Sequence, residues 1–503
     1  MPRRISRELK TLSVWALSLT ISGCIGTGGI APQGQTLAAN TLLTDQAIQS
    51  AERDAHWPVA QWWRAYGDRQ LDQWIERAVQ GSPSLAMAAA RVRQARALAG
   101  LAESAESVQI KGDAALKRHN WANDQFYGPG ELAGTTTWDN NAALGLSYSL
   151  DLWGRESNAS ERAVDLAHVS VAEARQARLE LQNSIVRAYI QLSLHYAERD
   201  IVEATLKQQM QILDLAQKRL DGGLGTHLEV SQAETPLPET HRQLDALDEE
   251  IALSRNQLAA LAGVGPGEGA RLQRPSLSLH TPLKLPSALP AQLLGQRPDV
   301  VASRWQVAAQ ARGIDVAHAG FYPNVDLVGN LGYMATGGGL LEFLTGKKFN
   351  YGVGPAVSLP IFDGGRLRAE LGEAAAGYDM AVAKYNQTLV NALKGISDQL
   401  IRRESLDKQQ VFAAESVASA RKTYDIAMIA YQRGLTDYLN VLNAQTLLFH
   451  QQQVEQQVQA ARLSAHAELV TELGGGLGAG NDVPADNRTV ANKPPAVLAA
   501  FDH

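Results

Sequence analysis

Ser149-Leu150-Asp151-Leu152-Trp153-Gly154-Arg155 and Ser358-Leu359-Pro360-Ile361-Phe362-Asp363-Gly364-Gly365-Arg366 are one pattern written twice. Each passes from an alternating apolar segment, through an aspartate and glycines, to an arginine that opens a long run without breakers. Other landmarks keep the same register. Gln94-Ala95-Arg96 matches Gln310-Ala311-Arg312, and Gly223-Leu224 with Ala233 and Thr235 matches Gly434-Leu435 with Ala444 and Thr446. The offsets stay within about 209 to 216 residues, so an internal duplication governs the rest of the reading.

Immediately before each copy lie two segments of period 2. In the first half, Val108, Ile110, Gly112, Ala114 and Leu116 alternate with Gln109, Lys111, Asp113, Ala115 and Lys117. Leu144, Leu146, Tyr148, Leu150 and Leu152 then alternate with Ala143, Gly145, Ser147, Ser149 and Asp151. In the second half, Val325, Leu327, Leu331 and Tyr333 alternate with Asp326, Asn330 and Gly332. Tyr351, Val353, Val357, Leu359 and Ile361 alternate with Gly352, Gly354, Ala356 and Ser358. The pattern predicts four strands over 108–117, 143–152, 325–333 and 351–361. About ten residues is the length a tilted strand needs to cross a bilayer, and it also suits a half-buried strand of a soluble sandwich. The intervening stretches 119–140 and 334–350, rich in Gly, aromatic and polar residues, read as surface loops.

Around the strands each half repeats one order: helix, strand pair, very long helix, glycine break, helix. Residues 85–106 read as helix. Residues 156–221 run for 66 positions without Gly or Pro, which at ~1.5 Å per residue reaches roughly 100 Å. Leu181, Ile185, Tyr189, Leu192 and Tyr196, then Leu206, Met210 and Leu213, fall at spacings of 3 and 4 and predict a coiled-coil-like seam. Gly222-Gly223 and Gly434 break the long runs, and helical patterns resume through Leu261 and Leu473. The domain reading is a first repeat over 57–262, a Pro- and Gly-rich linker over 263–297, a second repeat over 298–473 and a disordered tail over 474–503.

The N-terminus specifies compartment. Arg3, Arg4, Arg7 and Lys10 precede an apolar stretch of about ten residues, half of what a bilayer-spanning helix needs, so 1–23 read as an export signal. Ile21-Ser22-Gly23-Cys24 resembles the lipobox of bacterial lipoproteins, which implies a diacylglyceryl group and an N-acyl chain on Cys24, at the head of a lipidated segment over 24–56. Cys24 is the single cysteine of 503 residues, so an internal disulfide is impossible. By the same resemblance, Ile25 after it implies delivery to the outer membrane. A net charge of −6 and pI near 6.0 provide no basic field for nucleic acid. The 11 His are scattered without a metal-binding spacing, the six Met do not cluster, and no glycine-rich turn carries a phosphate-binding Lys. We expect no metal, no cofactor and no catalysis.

In order and spacing, Trp62-Trp63-Arg64-Ala65-Tyr66-Gly67-Asp68, Leu150-Asp151-Leu152-Trp153-Gly154-Arg155, Arg297-Pro298-Asp299-Val300 and Leu359-Pro360-Ile361-Phe362-Asp363-Gly364-Gly365-Arg366 resemble the TolC-like outer membrane factors, in the lipoprotein branch associated with multidrug efflux. The resemblance implies a mixed α/β membrane protein: a homotrimer whose four strands per chain close a 12-stranded outer-membrane β-barrel, continuous with a periplasmic α-helical barrel. It implies passive conduction of drugs or other small toxic compounds, with a periplasmic membrane-fusion adaptor and an inner-membrane transporter as partners. Leu144, Leu146 and Tyr148 would then face lipid, Ser147, Ser149, Asp326, Asn330 and Ser358 the lumen, and Trp138, Trp153, Tyr333 and Tyr351 the interfaces. Gly154, Pro360, Gly364 and Gly365 would make the strand-to-helix turns, and Gly222, Gly223 and Gly434 the helix tips at which an adaptor docks. Where better-known members place an acidic ring at the aperture, this chain has Asn440 and Asn443, leaving Glu229 and Asp437 as acidic candidates. Type I protein secretion is the alternative within this class. Outside it, a periplasmic adaptor would have one helical hairpin rather than two, and a coiled-coil spacer lipoprotein would lack the strands.

Overall fold

The computed structural model describes residues 26–38, 42, 48, 60–122, 133–277 and 297–475. The export signal, Cys24, most of the linker and the tail beyond residue 475 lie outside the described residues. In chain order, a 3₁₀ turn at Trp62–Tyr66 leads to α1 (Arg69–Gly81), α2 (Pro83–Ser104), β1 (Gln109–Asn120) and β2 (Thr136–Ser149). There follow α3 (Arg155–Asp221), α4 (His227–Glu234), α5 (Pro236–Leu261) and the single turn α6 (Pro266–Gly269). After the linker come α7 (Pro298–Ala319), β3 (Asn324–Thr336), β4 (Phe349–Ser358), α8 (Arg366–Gln432) and α9 (Tyr438–Glu472). The helices α3 and α8 each run 67 residues, and α2 and α7 each run 22 from a proline in the first turn, where a missing N–H costs nothing.

The four strands form one antiparallel sheet in the order β1-β2-β3-β4. Its register sets Ile110 opposite Leu146, Leu144 opposite Leu331, Leu331 opposite Tyr351 and Val325 opposite Val357. Residues directly opposite share a face, so one apolar face runs across all four strands. The other carries Lys111, Asp113, Ser147, Asp326, Asn330 and many glycines, with Val328 and Met334 as exceptions. In a soluble sandwich the apolar face would be covered by a second layer. Here Leu331 is 50%, Val357 66%, Val353 75% and Tyr351 78% exposed. Trp138, Tyr333 and Tyr351 stand on that face toward one end, and Trp153 lies beyond the other, stacked on Tyr322 at 4.6 Å.

β2 and β4 both end earlier than the sequence expectation, each for a local reason. β2 ends at Ser149 rather than 152 because Asp151 turns into the left-handed region (φ 38). Its carboxylate accepts from the backbone N–H of Glu156 (3.0 Å) and Ser157 (2.9 Å) and so caps α3. β4 ends at Ser358 rather than 361, one residue short of Leu359-Pro360, and Pro360 has no N–H for a ladder. Asp363 repeats the cap, accepting from Gly365 N (2.9 Å) and Leu367 N (2.8 Å). The expected loops are shorter than read, since β1 continues to Asn120, β2 begins at Thr136 and β3 continues to Thr336.

Within the helical part, α7 packs between α3 and α8, and α2 lies against α3. Leu181, Ile185, Tyr189 and Leu192 of α3 are buried against Trp62, Trp63, Tyr66, Leu71, Trp74 and Ile75, where the sequence placed the seam. Toward the tip the seam is displaced. Val202, Thr205, Gln209, Ile212 and Ala216 are the buried residues, while Met210 is 58% exposed and Leu206 and Leu213 are half-buried. Gln209 is admitted to the interior because its side-chain oxygen accepts from Thr240 Oγ1 at 2.8 Å, which satisfies a polar group that burial would otherwise penalise.

Candidate functional site

The two helical hairpins end in matching turns. α3 stops at Gly222, Gly223 takes φ 72, and Leu224 N donates to Arg219 O at 2.8 Å. α8 stops at Arg433, Gly434 takes φ 72, and Leu435 N donates to Ala430 O at 2.9 Å. Both are glycine-terminated helix ends in which the left-handed residue lets the chain double back and satisfy the last carbonyls. Gly225 is fixed by crowding rather than by φ. A Cβ there would lie 2.9 Å from Leu220 N.

Each return helix then starts on its own cap. Thr226 Oγ1 accepts from Glu229 N (3.2 Å), and Glu229 Oε2 accepts from Thr226 N (3.3 Å), closing a capping box. Asp437 Oδ1 accepts from Asn440 N at 3.2 Å, and the Asn440 amide donates to Asp437 Oδ1 (2.9 Å) and Thr436 Oγ1 (2.8 Å). Glu229 and Asp437 therefore have structural work at helix starts. Asn440 and Asn443 are exposed on α9, Asp437 is exposed at its start, and Glu229 is half-buried.

Beneath the turns, Ile212, Ala216, Ala233, Tyr424, Tyr431, Tyr438 and Val441 form a compact core that joins the two hairpins. Burial and the adjoining tyrosines push the Tyr438 hydroxyl up to about 12, and the Tyr431 and Tyr438 hydroxyls have no partner among the described residues. Arg219 crosses between the hairpins. Its guanidinium stacks 5.0 Å over the Tyr431 ring, donates to Tyr431 O (3.2 Å) and donates to Leu224 O (3.3 Å). One side chain thus holds a carbonyl of each tip. Sequence reasoning missed Arg219; its only signal was a cation in the last turn of a helix, where terminal carbonyls attract charge.

At the other end of the long helices, Gly154 (φ 71), Gly364 (φ 66) and Gly365 (φ 93) make the strand-to-helix turns. The molecule is therefore an exposed apolar strand sheet joined to helical hairpins whose far ends close on a glycine-capped, arginine-bridged tip. Residues 74–264 and 289–475 match the model of the outer membrane efflux protein family.

The chain belongs to that family. It is an efflux channel protein of the outer membrane. The fusaric acid resistance protein FusA of Burkholderia cepacia is 46% identical over 479 residues, spanning 94% of this chain and 89% of its own length. The multidrug resistance outer membrane protein MdtP of Escherichia coli is 29% identical, spanning 95% and 99%. Among solved structures, the outer membrane protein VceC of Vibrio cholerae superposes with a TM-score of 0.78 at 34% identity, covering 83% of this chain and 99% of that one.

Proposed function

We propose that three copies of this chain close a 12-stranded barrel in the outer membrane, continuous with a helical barrel in the periplasm. Through it small toxic compounds pass from an inner-membrane pump and its periplasmic adaptor to the exterior. The observation that carries this reading is the sheet. Its apolar face is uncovered, and the outer edges of β1 and β4 have no strand partner among the described residues. Backbone edges cannot stay unpaired in lipid, and a second copy supplies the missing partner to each. Strands of 10 to 14 residues and aromatics near both ends of the apolar face suit a bilayer crossing. Leu144, Leu146 and Tyr148 face lipid in this assembly, and Ser147, Ser149, Asp326, Asn330 and Ser358 face the lumen. The 67-residue helices at matched positions in both halves support an ancestral duplication.

Conduction is passive. The adaptor docks at the tips around Gly222, Gly223 and Gly434, and the aperture opens when the hairpins part and the Arg219 contacts break. Asn440 and Asn443 leave the aperture without a fixed negative ring, and Glu229 and Asp437 are committed to caps. Cys24 carries the acyl anchor. Resistance to small organic acids fits the name of the fusaric acid relative. Deleting the gene in a host lacking redundant pumps should raise susceptibility to part of a drug panel while leaving the secreted proteins unchanged. Unchanged susceptibility with a depleted secretome would reassign the duct to protein export. In planar bilayers, the Asn440→Asp, Asn443→Asp double variant should raise potassium-over-chloride permeability severalfold; an unmoved reversal potential would take both residues off the ion path.

A further inference from the structure

Where the sheet meets the helices, α3, α7 and α8 enclose a cavity of about 810 Å³. Asn324 and Ser358 stand opposite each other at the foot of the sheet and line the cavity on that side. Both belong to the polar face, so the cavity opens beneath that face. Its volume suits a drug-sized molecule rather than a single inorganic ion.

Two cations on the α3 wall have no carboxylate partner among the described residues. Arg155 and Arg162 line the cavity and stand two helical turns apart on one face. Arg155 is exposed. Arg162 reaches across to α7, where its Cζ and Nε lie 3.6 Å from the place a Cβ on Gly313 would occupy. Its Nε is buried without a hydrogen-bond partner among the described residues. Three acids face these cations. Asp151 is spent capping α3, and Glu370 pairs with Arg366 at 2.6 Å. That leaves Glu373 of α8 against Arg155 and Arg162, an excess of positive charge. The floor is kept open by Gly313 of α7 and Gly377 of α8, both in helix interiors, where glycine weakens a helix. A Cβ at these positions would meet Gln310 Oε1 at 3.7 and 3.4 Å, so a side chain longer than a methyl would displace Gln310 or Arg162.

We propose that this cavity is a resting site for a small organic anion, a carboxylate or sulfonate on a flat apolar body, in transit through the duct. Arg155 and Arg162 hold the anionic group, because a guanidinium presents paired donors to such oxygens. An anion there supplies the acceptor that Arg162 lacks. Leu152, Val316 and Leu359 provide apolar wall, and the stacked rings of Trp153 and Tyr322 border it. The proposal rests on the reading of the polar face as the lumen of a duct, to which it adds a class of cargo. In three copies the arginines form a ring beneath the barrel that raises the local concentration of anions.

The test is equilibrium dialysis of 2-naphthoate against the full-length protein in detergent, with 2-naphthamide as the uncharged match and 2-naphthylmethylammonium as the cationic one. Naphthoate should bind saturably at one molecule per chain, while the other two only partition into micelles. The Arg155→Gln, Arg162→Gln double variant should bind about tenfold more weakly, through loss of charge-assisted bonds. Arg162→Lys should bind severalfold more weakly, because it keeps the charge and loses the fork. Lys117→Gln removes a cation from the far end of the same polar face and should leave the affinity unchanged. Arg155→Gln alone changes an exposed side chain; its severalfold loss keeps the test decisive where the double variant does not assemble. Equal binding of the amide or the ammonium, undiminished affinity in the assembled arginine variants, or no saturable binding of naphthoate would overturn the proposal. Assembly is scored separately on native gels. A wild-type trimer that binds no naphthoate overturns the site alone, whereas a wild-type monomer overturns the duct and transit through it.

Discussion

His466 is an imidazole placed where protonation is unwelcome. It is buried on α9, with Nδ1 3.0 Å from the Tyr66 hydroxyl, which itself donates to Leu463 O at 2.7 Å. Burial, and secondarily the Arg403 charge, push its pKa down to about 4. A histidine depressed in the folded state binds its proton more readily when unfolded. Its contribution to stability is therefore complete above about 6.5, the unfolded value, and is lost as pH falls from there toward about 4. The helical part should lose stability across that window with a slope of at most ~1.4 kcal/mol per pH unit from this group. His466→Phe should flatten the slope while Tyr66 keeps its bond to Leu463. Denaturation of detergent-solubilised protein at pH 7.5 and pH 5 checks it, and an equal acid sensitivity in both proteins would assign the pH dependence elsewhere. Arg219 belongs to the same scale: a single residue whose role depends on two carbonyls brought together from opposite halves of the chain.

Among elements, the long helices depend on how they begin. Asp151 occupies a left-handed backbone position and caps α3 through two N–H groups. Asp151→Ala removes both acceptors and places a residue with a Cβ and no polar group where left-handed backbone is disfavoured, so a loss of about 1–2 kcal/mol is expected. Asp151→Asn retains an acceptor and tolerates the conformation, and should recover most of it. Trimer dissociation temperature on gels checks the pair; equal shifts for Ala and Asn would mean that the carboxylate does not act as a cap. The same residue marks the limit of what was legible in the sequence. Period 2 is a pattern of side-chain polarity, and Asp151 satisfied it while its backbone had already left the strand. The extent of α3 was legible because nothing between 156 and 221 breaks a helix. Its seam was legible where large apolar residues meet tryptophans, and misread where Thr205 enters the interior by donating to Ile201 O and Gln209 by accepting from Thr240. The glycine turns were legible, whereas the capping duties of Glu229 and Asp437 were not, since an acid near a helix start reads equally as surface charge.

At the scale of the whole molecule, one protomer leaves two different edges, β1 and β4, without a strand partner among the described residues, and an apolar face exposed between them. Pairing β1 of one copy with β4 of the next is heterologous, so it yields a closed ring or an open chain of copies according to sheet curvature. In a lipid bilayer only the closed form satisfies every backbone group. Its prediction uses the single cysteine. On the proposed acylation of Cys24, its sulfur is consumed and cysteines introduced on the two edges are the free thiols of the chain. Pairs drawn from the exposed edge positions Ile110 or Leu116 of β1 and Tyr351 or Val357 of β4 sample the register, and oxidation should cross-link the pair that lies opposite. The product on a denaturing gel should stop at a covalent trimer, with dimer as the partial product and nothing larger. A ladder continuing past three would indicate an open assembly. Absence of any product across the full set of pairs would exclude β1–β4 pairing and, with it, the single barrel shared by three chains.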